Sequence, residues 1–370
     1  GCQRRGWVIN RRDLLKYGAA AMSSLALPVY AKGSAIPTHD ALYWHSMGEA
    51  VQCDLCPHAC VLDEGKTGRC RTRQNINGSL VTHAFANPCA QHVDPIEKKP
   101  FFHVLPGSRA YSLAIAGCVL RCLNCQNYTI SQRSPDETDT TYLPPEKAVQ
   151  EALAQGCSSI AYTYSEPIAW FEYMLETARR ARAAGLKNVW VTSGYISQAP
   201  LLELSAVMDA VTLDIKSFSD AIYAKLNAGK LDPILQTLTN AQKHGMWVEI
   251  SNLVVPQWTD DLSMLRKLCA WINRNMGADT PLHFLRFFPL YKLADLYPTP
   301  TDTLLTAQKI AHEEGLHYAY VGNVAEADAA TYCPSCKKPL IVRDGLIIKT
   351  MAVSKGKCPY CKASIKGIWA

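Results

Sequence analysis

The chain has 370 residues, of which 38 are Lys or Arg and 32 are Asp or Glu, for a net charge of +6. That length suffices for one barrel of about 200 to 250 residues with smaller modules at its ends, and a charged fraction of 19% excludes a disordered chain. The positive charge sits at the two ends: five basic side chains face one acid in residues 1–31, and eight face one acid in residues 331–370. Residues 32–330 are therefore net acidic and are not a nucleic-acid surface in bulk.

In chain order, Asn10-Arg11-Arg12-Asp13-Leu14-Leu15-Lys16 precedes the mildly apolar GAAAMSSLALPVY, and Val29-Tyr30-Ala31 offers a small-residue cleavage site. This resembles a twin-arginine export signal, so residues 1–31 are set apart from the fold as a leader. The apolar segment falls short of the roughly twenty residues of a membrane span, and no later segment qualifies.

Residues 42–105 form a Cys-rich N-terminal module in which Cys53, Cys56, Cys60 and Cys70 follow the pattern C-x2-C-x3-C-x9-C. Such close spacings gather thiolates around metal, whereas disulfide scaffolds are short, secreted and loop-rich. Zinc is the first reading here and an auxiliary iron-sulfur cluster the second, with His58 as a substitute ligand. Pro57 after Cys56 excludes a c-type haem site.

Between 108 and 328 the chain alternates strands and helices. Apolar or β-branched runs at 112–116, 159–164, 189–193, 210–215, 247–255 and 282–288, with 318–324 as a further candidate, predict strands. Helical patterns such as EKAVQEALAQG and DPILQTLTNAQKHG lie between them, and Gly185, Gly245 and Gly315 close helices directly before the next strand. Repeated βα units predict an α/β fold: a parallel sheet curled into a full or partial barrel, with its functional loops at the C-terminal ends of the strands.

The loop after the first strand reads GCVLRCLNCQN, with Cys118, Cys122 and Cys125 and no fourth cysteine nearby. A structural metal is closed by four protein ligands; three leave one coordination position open, and that is where chemistry occurs. The CxxxCxxC pattern resembles that of the radical S-adenosylmethionine (SAM) superfamily. The resemblance implies a partial (β/α)6-type barrel, and a [4Fe-4S] cluster held by these three cysteines, its fourth iron chelated by SAM. Ser165-Glu166-Pro167 resembles the SAM-binding segment of glycyl-radical-enzyme activases, with Glu166 toward the SAM amino group, although the paired glycines common in the superfamily are missing. Asp214 and Lys216 in LDIK resemble the activases' DxK segment, with the lysine toward the SAM carboxylate. Ser193, in Thr192-Ser193-Gly194, has a hydroxyl to offer the ribose.

CDLCPHACVLDEGKTGRC, DPIEKKPFFHVLPGS, YTYSEP, FFPLYK, YVGNV and the terminal CPxC pairs narrow the resemblance to the radical SAM member of the AmmeMemoRadiSam system, related to pyruvate formate-lyase activating enzymes. This implies AMMECR1-like and Memo-like partners and an electron donor such as flavodoxin or ferredoxin.

The C-terminal module, 331–370, carries Cys333-Pro-Ser-Cys336 and Cys358-Pro-Tyr-Cys361, two knuckles resembling a zinc ribbon or rubredoxin-like site for zinc or iron. In a module this small the metal supplies stability that the core cannot. Cys89, Cys157 and Cys269 read as buried small apolar residues. His283 and Arg286 are candidates for substrate contact at the barrel mouth, with a hydrogen-bonded core histidine as the equal alternative, and Tyr291 and Lys292 are weaker candidates.

The expectation is thus an enzyme that cleaves SAM to a 5′-deoxyadenosyl radical and acts on a protein or a small molecule. The alternative is a metal-stapled module binding nucleic acid or protein through its basic tail. SAM and low-potential donors are cytoplasmic, so the active population is expected in the cytoplasm or at the cytoplasmic face of the inner membrane, with periplasmic export as the alternative that the leader suggests.

Overall fold

A computed structural model describes residues 29–31, 33, 36–325 and 327–369. Its centre is a sheet with seven parallel strands: β1 (Arg109–Ala114), β2 (Ser159–Tyr162), β3 (Lys187–Thr192), β4 (Ala210–Asp214), β5 (Trp247–Val254), β6 (Leu282–Arg286) and β7 (Ala319–Gly322). Helices α1 (Pro145–Ala154), α2 (Phe171–Ala183), α3 (Gln198–Ser205), α4 (Asp232–Lys243), α5 (Leu262–Met276) and α6 (Thr301–Glu313) form the crossovers. The strands lie side by side in chain order, with no reversal. That order winds the sheet in one direction, as in a barrel, and not outward both ways from a switch point. The α/β partial barrel expected from the sequence is the fold.

The sequence explains these elements. Strands β2 and β4 are buried at almost every position because helices cover one face and the barrel interior the other. Gly185, Gly245 and Gly315 have φ of +83°, +88° and +91°, the left-handed closure that lets each helix turn into the next strand. The edge beside β1 is covered by Ala90–Pro95, which pairs with it antiparallel from Ala90↔Ala114 to Pro95↔Arg109.

Residues 1–28 of the leader lie outside the described residues; Val29–Tyr30 pairs antiparallel with Thr140–Thr141. Among the described residues no helix is long and apolar enough to cross a membrane.

The N-terminal end of the barrel is closed by a buried polar network, and it decides between the two readings of His283 in favour of the core histidine. His283 does not point into the barrel mouth. It is the second residue of β6 and faces Glu249, near the start of β5, at 2.7 Å. Glu249 also accepts from the Phe102 and His103 amides and the Trp247 indole. A buried carboxylate needs such donors, and the alternation of side chains along β6 sends His283 inward to supply one. His103 donates from Nδ1 to the Lys366 carbonyl at 2.9 Å and accepts at Nε2 from the Tyr320 hydroxyl at 2.8 Å.

Burial pushes the His103 imidazole from its ordinary 6.5 down to about 4, despite Glu249 nearby. The folded state therefore favours the neutral ring. Its contribution is complete above pH 6.5 and is lost as the pH falls toward 4. The melting temperature should fall over that window, with a shallower fall in His103→Asn; equal slopes in a pH series of thermal melts would refute this assignment.

The C-terminal segment carries a three-stranded antiparallel sheet, Thr331–Tyr332, Pro339–Asp344 and Ile347–Met351. It is tied to the barrel base: the Arg343 guanidinium lies 4.1 Å from the Phe102 ring and donates to the Phe102 carbonyl, and Ile368 exchanges backbone bonds with His103 and Leu105. The ligand atoms of Cys333, Cys336, Cys358 and Cys361 all lie within 4.8 Å of one another, and Cys333 and Cys358 are fully buried. This is a four-cysteine metal site. Cys336→Ala should lower the melting temperature and release the metal there, because little apolar area surrounds it, with only Leu340, Ile341 and Ile365 buried beside the cysteines. Differential scanning fluorimetry with metal analysis checks this; an unchanged melting temperature would refute it.

Candidate active site

At the C-terminal ends of β1 to β6 lies a cavity of about 360 Å³. Cys118, Cys122, Cys125, Glu166, Ser193, Asp214 and Lys216 all line it, although they come from four different loops. The cysteine loop is held from several sides: Gly117 donates to the Ile130 carbonyl at 3.1 Å, Arg121 to Asn227 at 2.9 Å and Leu123 to Leu226 at 2.8 Å. Each sulfur has a polar neighbour. Cys118 Sγ accepts from the Leu120 amide at 3.3 Å, Cys122 Sγ from Asn227 Nδ2 at 3.1 Å, and Cys125 Sγ lies 2.9 Å from Ser131 Oγ. Burial pushes the Cys118 thiol well above its ordinary value and Cys122 up to about 11, so thiolates here require the charge of a metal.

Glu166 is buried, and its burial pushes its carboxyl up against the pull of its donors. Thr192 Oγ1 and the Ile168 amide donate to one oxygen, and the amide and hydroxyl of Ser193 donate to the other. These four bonds fill its usual acceptor capacity and lock the loops after β2 and β3 together. Lys216 Nζ lies 2.6 Å from Asp214, whose other oxygen accepts from Ser251. Burial opposes the lysine's charge, but Asp214 and Cys122 outweigh it and hold Lys216 protonated beside the sulfurs.

Other lining residues carried no readable spacing. Asp94 binds Lys99 at 2.6 Å and Lys98 at 2.8 Å, with Lys99 Nζ 4.2 Å from the Tyr164 ring centroid. Burial lowers Lys99 to about 8. Asn124 Oδ1 is buried at the cavity wall with no partner among the described residues. Arg286, expected near substrate, does not line the cavity; its Nε donates to the Thr299 carbonyl at 2.9 Å. Tyr291 stacks on Tyr128 at 4.6 Å, and the Lys292 amide donates to Leu123, so both buttress the cysteine loop. Cys157 and Cys269 are buried as expected, and Cys89 is partly buried.

A parallel barrel with three cysteines after its first strand, open to one cavity, is matched over residues 113–269 by the Radical SAM superfamily model. The chain belongs to the radical SAM superfamily and is an enzyme of that class, related to the pyruvate formate-lyase activating enzymes. It is 42% identical over 331 residues to the uncharacterized protein MJ0808 of Methanocaldococcus jannaschii, covering 88% of this chain and 98% of that one. The pyruvate formate-lyase 1-activating enzyme of Escherichia coli is 24% identical over 225 residues, 57% of this chain and 91% of that one. Among solved structures, Streptococcus suis SuiB aligns with a TM-score of 0.48 at 12% identity, over 62% of this chain and 52% of that one.

The family implies a [4Fe-4S] cluster and SAM. The residues present fit both: three thiols with hydrogen-bond donors around them, a cation beside them, and an unpartnered buried amide oxygen on the wall of an adjoining cavity.

Proposed function

We propose that the chain reductively cleaves SAM at a [4Fe-4S] cluster held by Cys118, Cys122 and Cys125, and that it serves as the radical SAM component of an AmmeMemoRadiSam system with AMMECR1-like and Memo-like partners. The observation that carries the reading is the convergence of these cysteines with Glu166, Ser193, Asp214 and Lys216 on one cavity. When bound, cluster and SAM supply one-electron cleavage to methionine and a 5′-deoxyadenosyl radical, which attacks a protein or small-molecule substrate. Lys216 supplies the cation that a SAM carboxylate requires. Glu166 acts as a braced negative charge facing the SAM ammonium, and Ser193 presents its hydroxyl from the same lock. The barrel wall excludes water from the radical.

In the same reading the chain divides into a leader (1–31), a Cys-rich module (42–105), the barrel (108–328) and a C-terminal module (331–370) whose four cysteines hold zinc. A one-electron donor such as flavodoxin or ferredoxin serves it at the cytoplasmic face of the membrane or in the cytoplasm. The likeness to pyruvate formate-lyase 1-activating enzyme supports activation of a partner protein as one form of the reaction. Anaerobic reconstitution with SAM and dithionite, followed by chromatography, tests the proposal: 5′-deoxyadenosine should form, and no product above a Cys118→Ala control overturns it.

A further inference from the structure

The sequence alone put zinc first at the N-terminal cysteines. We infer instead that Cys53, Cys56, Cys60 and Cys70 hold a second iron-sulfur cluster, seated against the back of the loop that carries Cys118, Cys122 and Cys125.

Two hairpins bring the four together. Cys53 ends the strand Ala50–Cys53, Cys60 precedes the strand Val61–Leu62, and a Cys53 N–H to Cys60 carbonyl bond of 2.9 Å closes the loop between them. Cys56 lies inside that loop, and the next turn, closed by Arg71 N–H on Gly68 at 2.9 Å, presents Cys70. All four belong to the same hydrophobic core cluster as Cys118, Cys122 and Cys125.

Spacing separates the two metal chemistries. One zinc ion gathers four sulfurs at about 2.3 Å each, which forces them close together. The C-terminal four meet that condition, within 4.8 Å of one another, and among the described residues no other group of three or more does. No three of the N-terminal four meet it, and neither do Cys118, Cys122 and Cys125. Wider spacing suits a cluster that offers a separate iron to each thiolate. One sulfur also has the kind of donor that tunes clusters: Arg73, buried and paired with Glu172, donates to Cys53 Sγ at 3.5 Å, while the Thr72 hydroxyl, whose proton goes to the Ala169 carbonyl, lies 3.1 Å from Cys70 Sγ.

His58 bridges the two loops. Its Nε2 donates to the Val119 carbonyl at 2.9 Å, across to the catalytic loop. Cys118 N–H in turn donates to the Cys70 carbonyl at 3.3 Å. A ligand of one centre is thus hydrogen-bonded through backbone to a ligand of the other.

The test uses the full chain reconstituted anaerobically with iron and sulfide, with metal analysis and electron paramagnetic resonance after dithionite reduction. It does not rest on SAM cleavage, because the decisive variant, Cys118→Ser with Cys122→Ser and Cys125→Ser, removes the catalytic ligands. Wild type should hold about eight irons and the triple variant about four, as a reducible cluster. Adding Cys56→Ser and Cys60→Ser, at partly exposed positions, should remove the rest and leave the C-terminal metal in place. Reduced wild type should show signals broadened by two neighbouring centres, and the triple variant sharp ones. About four irons in wild type, with none in the triple variant and zinc in its place, overturns the inference.

Discussion

Cys125→Ala releases no 5′-deoxyadenosine above background and reconstitutes with one cluster's iron fewer, while the metal at Cys333, Cys336, Cys358 and Cys361 is unchanged. The cause is local. Cys125 is only partly buried, and its sulfur faces the cavity beside Ser131, so its loss leaves no large void in the core. The melting temperature of the metal-free chain should therefore match wild type. Chromatography of the product and mass-spectrometric metal analysis on one preparation check both halves. Retained SAM cleavage would remove Cys125 from the site; bleaching of the catalytic cluster by Cys336→Ala, with stability intact, would exchange the roles of the two cysteine sets.

Gly117→Ala is expected to be nearly as severe although it removes no ligand. Gly117 has φ of +114°, and a Cβ there would lie 2.6 Å from Thr72 Cγ2 and 2.8 Å from the Cys70 carbonyl oxygen. That carbonyl cannot simply retreat, because it accepts from the neighbouring Cys118 amide. The backbone conformation alone costs about 1–2 kcal/mol in a residue with a side chain, and the clash adds to it. The loop should move, iron content should fall at every SAM concentration, and the melting temperature should drop by about 5 °C. Gly245→Ala is the control: its φ is +88° but nothing lies within 4 Å of the added carbon, so it should lose stability and keep its iron. Full iron loading of Gly117→Ala would show that the loop tolerates the displacement.

The barrel was legible because its strands are continuous apolar runs bounded by glycine-closed helices. Even so, the run at 112–116 is offset from the strand, Arg109–Ala114; Ile115 and Ala116 already belong to the turn that aims Cys118. Short metal spacings were legible for the same reason, since ligands near in sequence are near in space. Cys118, Cys122 and Cys125 share one short loop, and each C-terminal CxxC knuckle is equally local, although only the fold brings the two knuckles together. What was missed depends on tertiary contact. Asn227, whose amide donates to Cys122, lies in a turn 105 residues away that shows no periodicity. Lys99 reaches the cavity only because Ala90–Pro95 pairs with β1 and sets the following turn at the mouth. The two readings of His283 could not be separated without knowing which end of its strand forms the mouth; as the second residue of β6 it lies at the opposite end.

The backbone bond between Cys118 and Cys70, with His58 on Val119 and Thr72 on the Ala169 carbonyl at 2.6 Å, has a consequence for synthesis. A ribosome makes the chain from its N-terminus, and segments fold as they emerge. Cys70, His58 and the strand at Ala90–Pro95 all precede β1, so the catalytic loop meets most of its rear support as it leaves the exit tunnel. Its other braces, at Leu226 and Asn227, arrive later. All seven cysteines of the two sets lie within the first 125 residues, so both are complete while more than half of the barrel is still to be made.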